Sequence, residues 1–118
     1  MSGKQDFLGR RPLMLFYVQM KWNYQGRISQ EDLWTLEAKE GEHAQGQEGQ
    51  TKDKVKVIGI YKVASQHRVI TIVEAATADD LDRNSMGALP MKEYLEFEHV
   101  WALRDYDTFM EDVKKGFK

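Results

Sequence analysis

The chain is predicted to be an α+β domain, with a four-stranded antiparallel sheet carrying its helices on one face. Three observations predict it. Apolar and polar residues alternate with a period of two in four separate stretches. Two further stretches have helical spacing and open on a hydroxyl residue followed by Asp three positions later. The order is β-α-β-β-α-β with a tail helix, the split pattern of ferredoxin-like folds.

Leu13–Trp22 is the first expected strand. Met14, Phe16, Val18, Met20 and Trp22 form an apolar face, and Leu15, Tyr17, Gln19 and Lys21 form the other. Asn23–Ile28 is a loop. Ser29 and Asp32 open the first helix, which is expected to fray after Ala44. Residues 44–51 (AQGQEGQT) carry two glycines and no large apolar side chain, as a flexible loop does: either a lid or a solvated linker. Val55–Ala64 and His67–Glu74 are rich in β-branched residues and are separated only by Ser65 and Gln66, which predicts a hairpin. Thr77 and Asp80 open a second helix to about Ala88, which Pro90 closes. Tyr94–Leu103 alternates again, with Leu95, Phe97, His99, Trp101 and Leu103 on one face. A short amphipathic helix, 106–114, ends the chain.

At 118 residues this is one domain, 13–118, preceded by a polar extension, 1–12, expected to be loose. A net charge of −2 argues against a nucleic-acid partner. No apolar run is long enough to span a membrane, and the opening residues lack a signal-peptide core. The absence of cysteine removes disulfides, thiolate catalysis and cysteine-ligated metals, and is compatible with a cytoplasmic location. With both helices on one side, the opposite sheet face would be bare in a monomer. Trp101, Phe97 and Leu95 are candidates for it, so a second copy is expected to cover that face and complete a dimeric α+β barrel.

Glu40 is the leading candidate for chemistry. At about 100° per residue it lies between Leu33 and Leu36 on the apolar arc of the first helix, with His43 at the edge. Glu37 and Glu42 are expected to project toward water or the flanks. A carboxylate turned toward a core holds its proton more tightly, as a general base working near neutral pH must. The bland alternative is a helix-end carboxylate that reaches solvent or pairs with a lysine. Glu40-x-x-His43 has the spacing of carboxylate-bridged metal sites, but those need a second such pair. No metal is therefore expected, and His43 is read as orienting Glu40 or a substrate. Lys21, Lys62 and Arg68 are candidates to hold a substrate carboxylate. His67 and Gln66 sit at the hairpin tip, and Tyr17 and Asn23 are candidate hydrogen-bond donors; each has solvation as its alternative. There is no phosphate-binding loop, nucleophile elbow or HExxH motif, so no cofactor is expected. Proton abstraction and return fits what remains.

Met14-Leu15-Phe16-Tyr17-Val18-Gln19-Met20 resembles the first strand of muconolactone isomerases. Leu36-Glu37-Ala38-Lys39-Glu40-Gly41-Glu42-His43-Ala44-Gln45 is similar to their first-helix segment, and Leu89-Pro90 with Tyr94-Leu95-Glu96-Phe97-Glu98 to their last loop and strand. The likeness covers about Met14–Val100 and extends to chloromuconolactone dehalogenases. It implies a ferredoxin-like fold and dimers that associate further, often into decamers. It also implies cofactor-free proton movement within an unsaturated lactone of aromatic catabolism. The proton-transfer glutamate of that family aligns with Glu40. Tyr17 and Gln19 stand where the family usually has His and Lys, and Tyr61-Lys62 replaces a Trp-Arg pair; the tip His falls at Gln66 or His67. The resemblance implies Glu40 as the catalytic residue; with the residue reading beside it, Tyr17 and Lys62 are the candidates to assist it, and Gln19, Lys21, His43, His67 and Arg68 the candidates to surround the substrate. That substrate is muconolactone, a related carboxylated lactone or another aromatic-breakdown intermediate. Cofactor-free oxidation of a quinol or anthrone, and ligand binding without catalysis, are the rival readings.

Overall fold

The computed structural model describes residues 13–47, 51–52 and 55–118, with side chains for 13–42 and 55–118. The expected extension, 1–12, and the side chain of His43 lie outside the described residues, as do residues 48–50 of the loop expected at 44–51. Strands β1 (Met14–Trp22), β2 (Thr51–Lys52), β3 (Val55–Lys62), β4 (Arg68–Ala75) and β5 (Leu95–Leu103) form one antiparallel sheet in the order β2-β3-β4-β1-β5. Helices α1 (Gln30–Gln47), α2 (Ala78–Arg83) and α3 (Tyr106–Lys114) complete the fold. The four longer strands have the ferredoxin-like order, as expected. No helix among the described residues is long and apolar enough to cross a membrane.

Both predicted caps form. The Asp32 backbone N–H donates to Ser29 Oγ at 3.0 Å, and that of Asp80 to Thr77 Oγ1 at 3.0 Å. Helix α1 runs to Gln47, three residues past the expected fraying point. Helix α2 is shorter than expected: regular α geometry stops at Arg83, and Asn84–Ala88 continues as a π-helical turn. The β3–β4 connection is also longer than two residues. The loop covers 63–67, the Val63 N–H donates to the Arg68 carbonyl at 3.0 Å, and Ser65 takes a positive φ of 63°. His67 belongs to this loop rather than to a strand.

On β1 the alternation holds: Phe16, Val18, Met20 and Trp22 are buried. Phe16, Val18 and Met20 join Val55, Val57, Val73, Ala75 and Leu81 in the main core, while Trp22 packs with the fully buried Leu33 and Met91. On β3 and β5 strict alternation fails, because each strand carries a bulge. Val57 pairs with Val73 but Gly59 with Ile72, leaving Ile58 extra. Met20 pairs with Phe97 but Gln19 with His99, leaving Glu98 extra. A bulge inserts one residue and so reverses the facing of everything beyond it. Past the first bulge, Ile60 and Lys62 face the helices. Past the second, His99, Trp101 and Leu103 turn to the opposite face, where Trp101 stacks on Tyr17 with ring centroids 5.1 Å apart. Leu95 and Phe97, expected on the same face as Trp101, stay on the helix side. Trp101 is 53% exposed and Tyr61 62% exposed on the uncovered face.

Candidate functional site

A cavity of about 520 Å³ opens between α1, the end of α2 and the helix-side face of the sheet. Such a volume suits a small ring compound with room to spare. Its wall is mainly apolar, formed by Val18, Met20, Val57, Val69, Phe97 and other sheet residues. Trp22 and Trp34 meet edge to face at the rim, with centroids 5.5 Å apart, and His67 stacks on Trp34 at 6.3 Å.

Helix α1 brings Trp34, Glu37, Glu40 and Gly41 to this wall. Leu33, buried against Trp22 and Met91, fixes the rotation of the helix. Glu40 is anchored: the Met91 backbone N–H donates to its Oε1 at 3.0 Å, tying α1 to the segment before β5. Gly41 presents no side chain, and a Cβ built on it would meet open space.

On the helical projection Glu37 is expected to project toward water or the flanks. It lines the cavity instead. Removal from water, and then the neighbouring Glu40 charge, push its carboxyl up to about 7; hydrogen bonding from Trp22 and the positive Lys62 only partly oppose the rise. Its Oε1 has no hydrogen-bond partner among the described residues. The sequence signal that marks it is Trp34. Taken with Leu33 and Leu36, that tryptophan widens the apolar arc of α1, and the middle of the wider arc lies between Glu40 and Glu37, which are about 60° apart.

Lys62 also reaches the wall, through the β3 bulge. Its Nζ donates to the Val63 carbonyl at 3.0 Å and lies 5.8 Å from the Trp22 ring centroid. The other expected site residues are elsewhere. Tyr17, Gln19, Lys21 and Arg68 occupy the opposite sheet face, because they alternate with the residues that line the cavity. There Tyr17 OH donates to Gln19 Oε1 at 2.7 Å, and Gln19 Nε2 donates to Glu98 Oε1 at 3.0 Å. Arg68 grips Glu98 with two hydrogen bonds of 2.9 and 3.0 Å. That grip, with the Gln19 bond, holds the Glu98 carboxyl well below the usual carboxylate range. His67 stands behind the aromatic rim. Among the described residues no group of three or more His, Asp or Glu is placed to hold a metal ion.

Fold and site together define an α+β domain whose helix-covered sheet face encloses an apolar cavity, with two carboxylates and one cation among the described residues that line it. The family model described as muconolactone delta-isomerase matches residues 14–108, and the chain belongs to that family. Membership implies isomerase activity. No curated protein and no solved structure matched the chain.

Proposed function

We propose that the protein is a cofactor-independent isomerase that moves a proton within a small unsaturated, carboxylated lactone formed during the breakdown of aromatic compounds. The observation that carries this reading is the pair Glu37 and Glu40 on one cavity wall, with Glu37 poised to titrate near neutral pH. Two carboxylates in different surroundings take different roles. Glu40 removes the proton from the carbon next to the conjugated carbonyl. Protonated Glu37, in the place expected for Tyr17, donates a hydrogen bond to the carbonyl oxygen as negative charge develops there, and Lys62 adds a positive charge nearby. Glu40 then returns the proton at the other end of the conjugated system, so that enzyme and proton count are unchanged at the end of the cycle.

Incubating the protein in deuterated water with a panel of carboxylated butenolides tests this directly. Deuterium is expected to enter the substrate at the exchanged carbon, read by mass spectrometry. Butenolides that bind but neither isomerise nor take up deuterium would refute the proton-transfer reading and leave a binding domain.

The exposed aromatic and aliphatic side chains of the opposite sheet face, Trp101, Tyr61 and Leu103, support a second copy seated there. Sedimentation at micromolar concentration is then expected to show a dimer or larger assembly. A monomer under those conditions would remove this part of the reading.

A further inference from the structure

Two buried side-chain atoms among the described residues have no hydrogen-bond partner, Glu37 Oε1 and Asn84 Oδ1, and both residues line the same cavity. Leaving such an atom unpaired is unfavourable enough that each instance calls for an explanation. Glu37 has one in the proposed chemistry, and Asn84 has none yet. It is 9% exposed and is the first residue of the π-helical turn that follows α2. A π turn adds a residue to the helical repeat and is frequent at functional sites. Its backbone N–H is satisfied by the carbonyls of Asp80 and Leu81, so the unmet demand belongs to the side chain.

The rest of the wall limits what can meet that demand. Among the described residues lining the cavity, Lys62 is the one cation, against two carboxylates, and the remainder is mostly apolar. A ligand with several negative charges is disfavoured there. An amide oxygen accepts a hydrogen bond and so requires a donor. As placed, Oδ1 has almost no surface open to the cavity, so a small turn of the Asn84 side chain is what brings it to a donor. A ligand that fills the cavity must bring its own O–H, or the atom stays orphaned beside an apolar wall.

We propose that Asn84 is a specificity residue that binds a hydroxyl group of the substrate, so that the substrate class is a hydroxylated unsaturated lactone with at most one carboxylate. This deepens the isomerase reading and rests on it for the word substrate, but the recognition itself does not depend on turnover. The cavity volume leaves room for a substituent of this kind beside the reacting ring.

The test uses the full chain and two matched probes, 5-(hydroxymethyl)-2(5H)-furanone and its methyl ether, which keeps the oxygen but loses the donor. Dissociation constants are read by NMR titration. The wild type is expected to prefer the hydroxyl compound by about tenfold, the order of one buried hydrogen bond. Asn84→Leu, similar in volume but without an acceptor, is expected to bind the two probes within about twofold of each other, and Asn84→Ala likewise. Equal binding by the wild type would overturn the proposal whether or not either variant folds. So would a preference that survives in a folded variant. Binding is measured without catalysis, so a hydroxyl preference that stands while deuterium exchange fails would reject the isomerase reading alone.

Discussion

Replacing Glu40 by glutamine is expected to leave the fold intact and to cut proton exchange by about 10²–10⁴-fold, the range for removal of a positioned general base. The substitution is nearly isosteric, and the new amide oxygen still accepts the Met91 N–H that Glu40 Oε1 accepts now. The tie between α1 and the segment before β5 therefore survives, and the melting temperature is expected to move by no more than a few degrees. What disappears is the carboxylate. Its loss also removes the second-largest cause of the raised Glu37 pKa, so Glu37 should titrate at lower pH in the variant. Glu40→Leu is the contrasting variant. It removes the base and the acceptor together and leaves the Met91 N–H unpaired, at a cost of about 1–3 kcal/mol of stability. Undiminished deuterium uptake by folded Glu40→Gln would eliminate Glu40 as the base.

Glu40 is visible in the sequence because Leu33 and Leu36 flank it on a helical projection, and both are near the core in the structure. Glu37 is not visible in the same way, because a cavity is an absence of side chains. Only Trp34 marks that side of α1, and on the narrower arc of Leu33 and Leu36 a carboxylate facing an enclosed void looks the same as one facing bulk water. The sheet shows the same limit differently. Period-two alternation separates the two faces of β1 correctly, since that strand itself carries no extra residue and the bulge beside Gln19 and Met20 belongs to β5. On β3 and β5 one extra residue in each, Ile58 and Glu98, exchanges the two faces partway along. Simple alternation from Val55 and Val57 would send Lys62 outward, and it would keep Trp101 beside Phe97. Bulges depend on pairing register, which no single strand encodes. The expected substrate grip by Tyr17, Gln19, Lys21 and Arg68 does not reach the cavity for a related reason: strand parity puts them on the opposite face. Asn84 is hidden by another irregularity, the change from α to π geometry at Arg83, which re-aims side chains that a regular helix would point elsewhere.

The activity is expected to fall as pH rises through about 7, with Glu37 responsible for the decline. Its carboxyl is held near that value by burial first and by the Glu40 charge second. In the proposed mechanism only the protonated form donates to the developing enolate, so kcat/KM should follow the protonated fraction. Glu37→Gln keeps an N–H donor but cannot ionise. It is expected to lose roughly tenfold in rate at pH 6, because an amide is a poorer donor to an oxyanion than a carboxylic acid. It should also be flat with pH where the wild type declines. Folding stability supplies a second readout with a fixed sign. The folded pKa lies above the unfolded value of 4.5, so between pH 4.5 and 7 the native state binds more protons than the unfolded chain. Wild-type stability therefore declines across that window, and the penalty is complete above it. Discounted for the partial exposure of the side chain, the loss is about 1–2 kcal/mol. Glu37→Gln carries no such penalty. Denaturant titrations should find it closest to the wild type at pH 4.5 and relatively more stable at pH 8. A decline near pH 7 that persists in Glu37→Gln would assign the titration to a different group. A stability difference between variant and wild type that does not change with pH would mean that the Glu37 carboxyl is not held by the cavity at all.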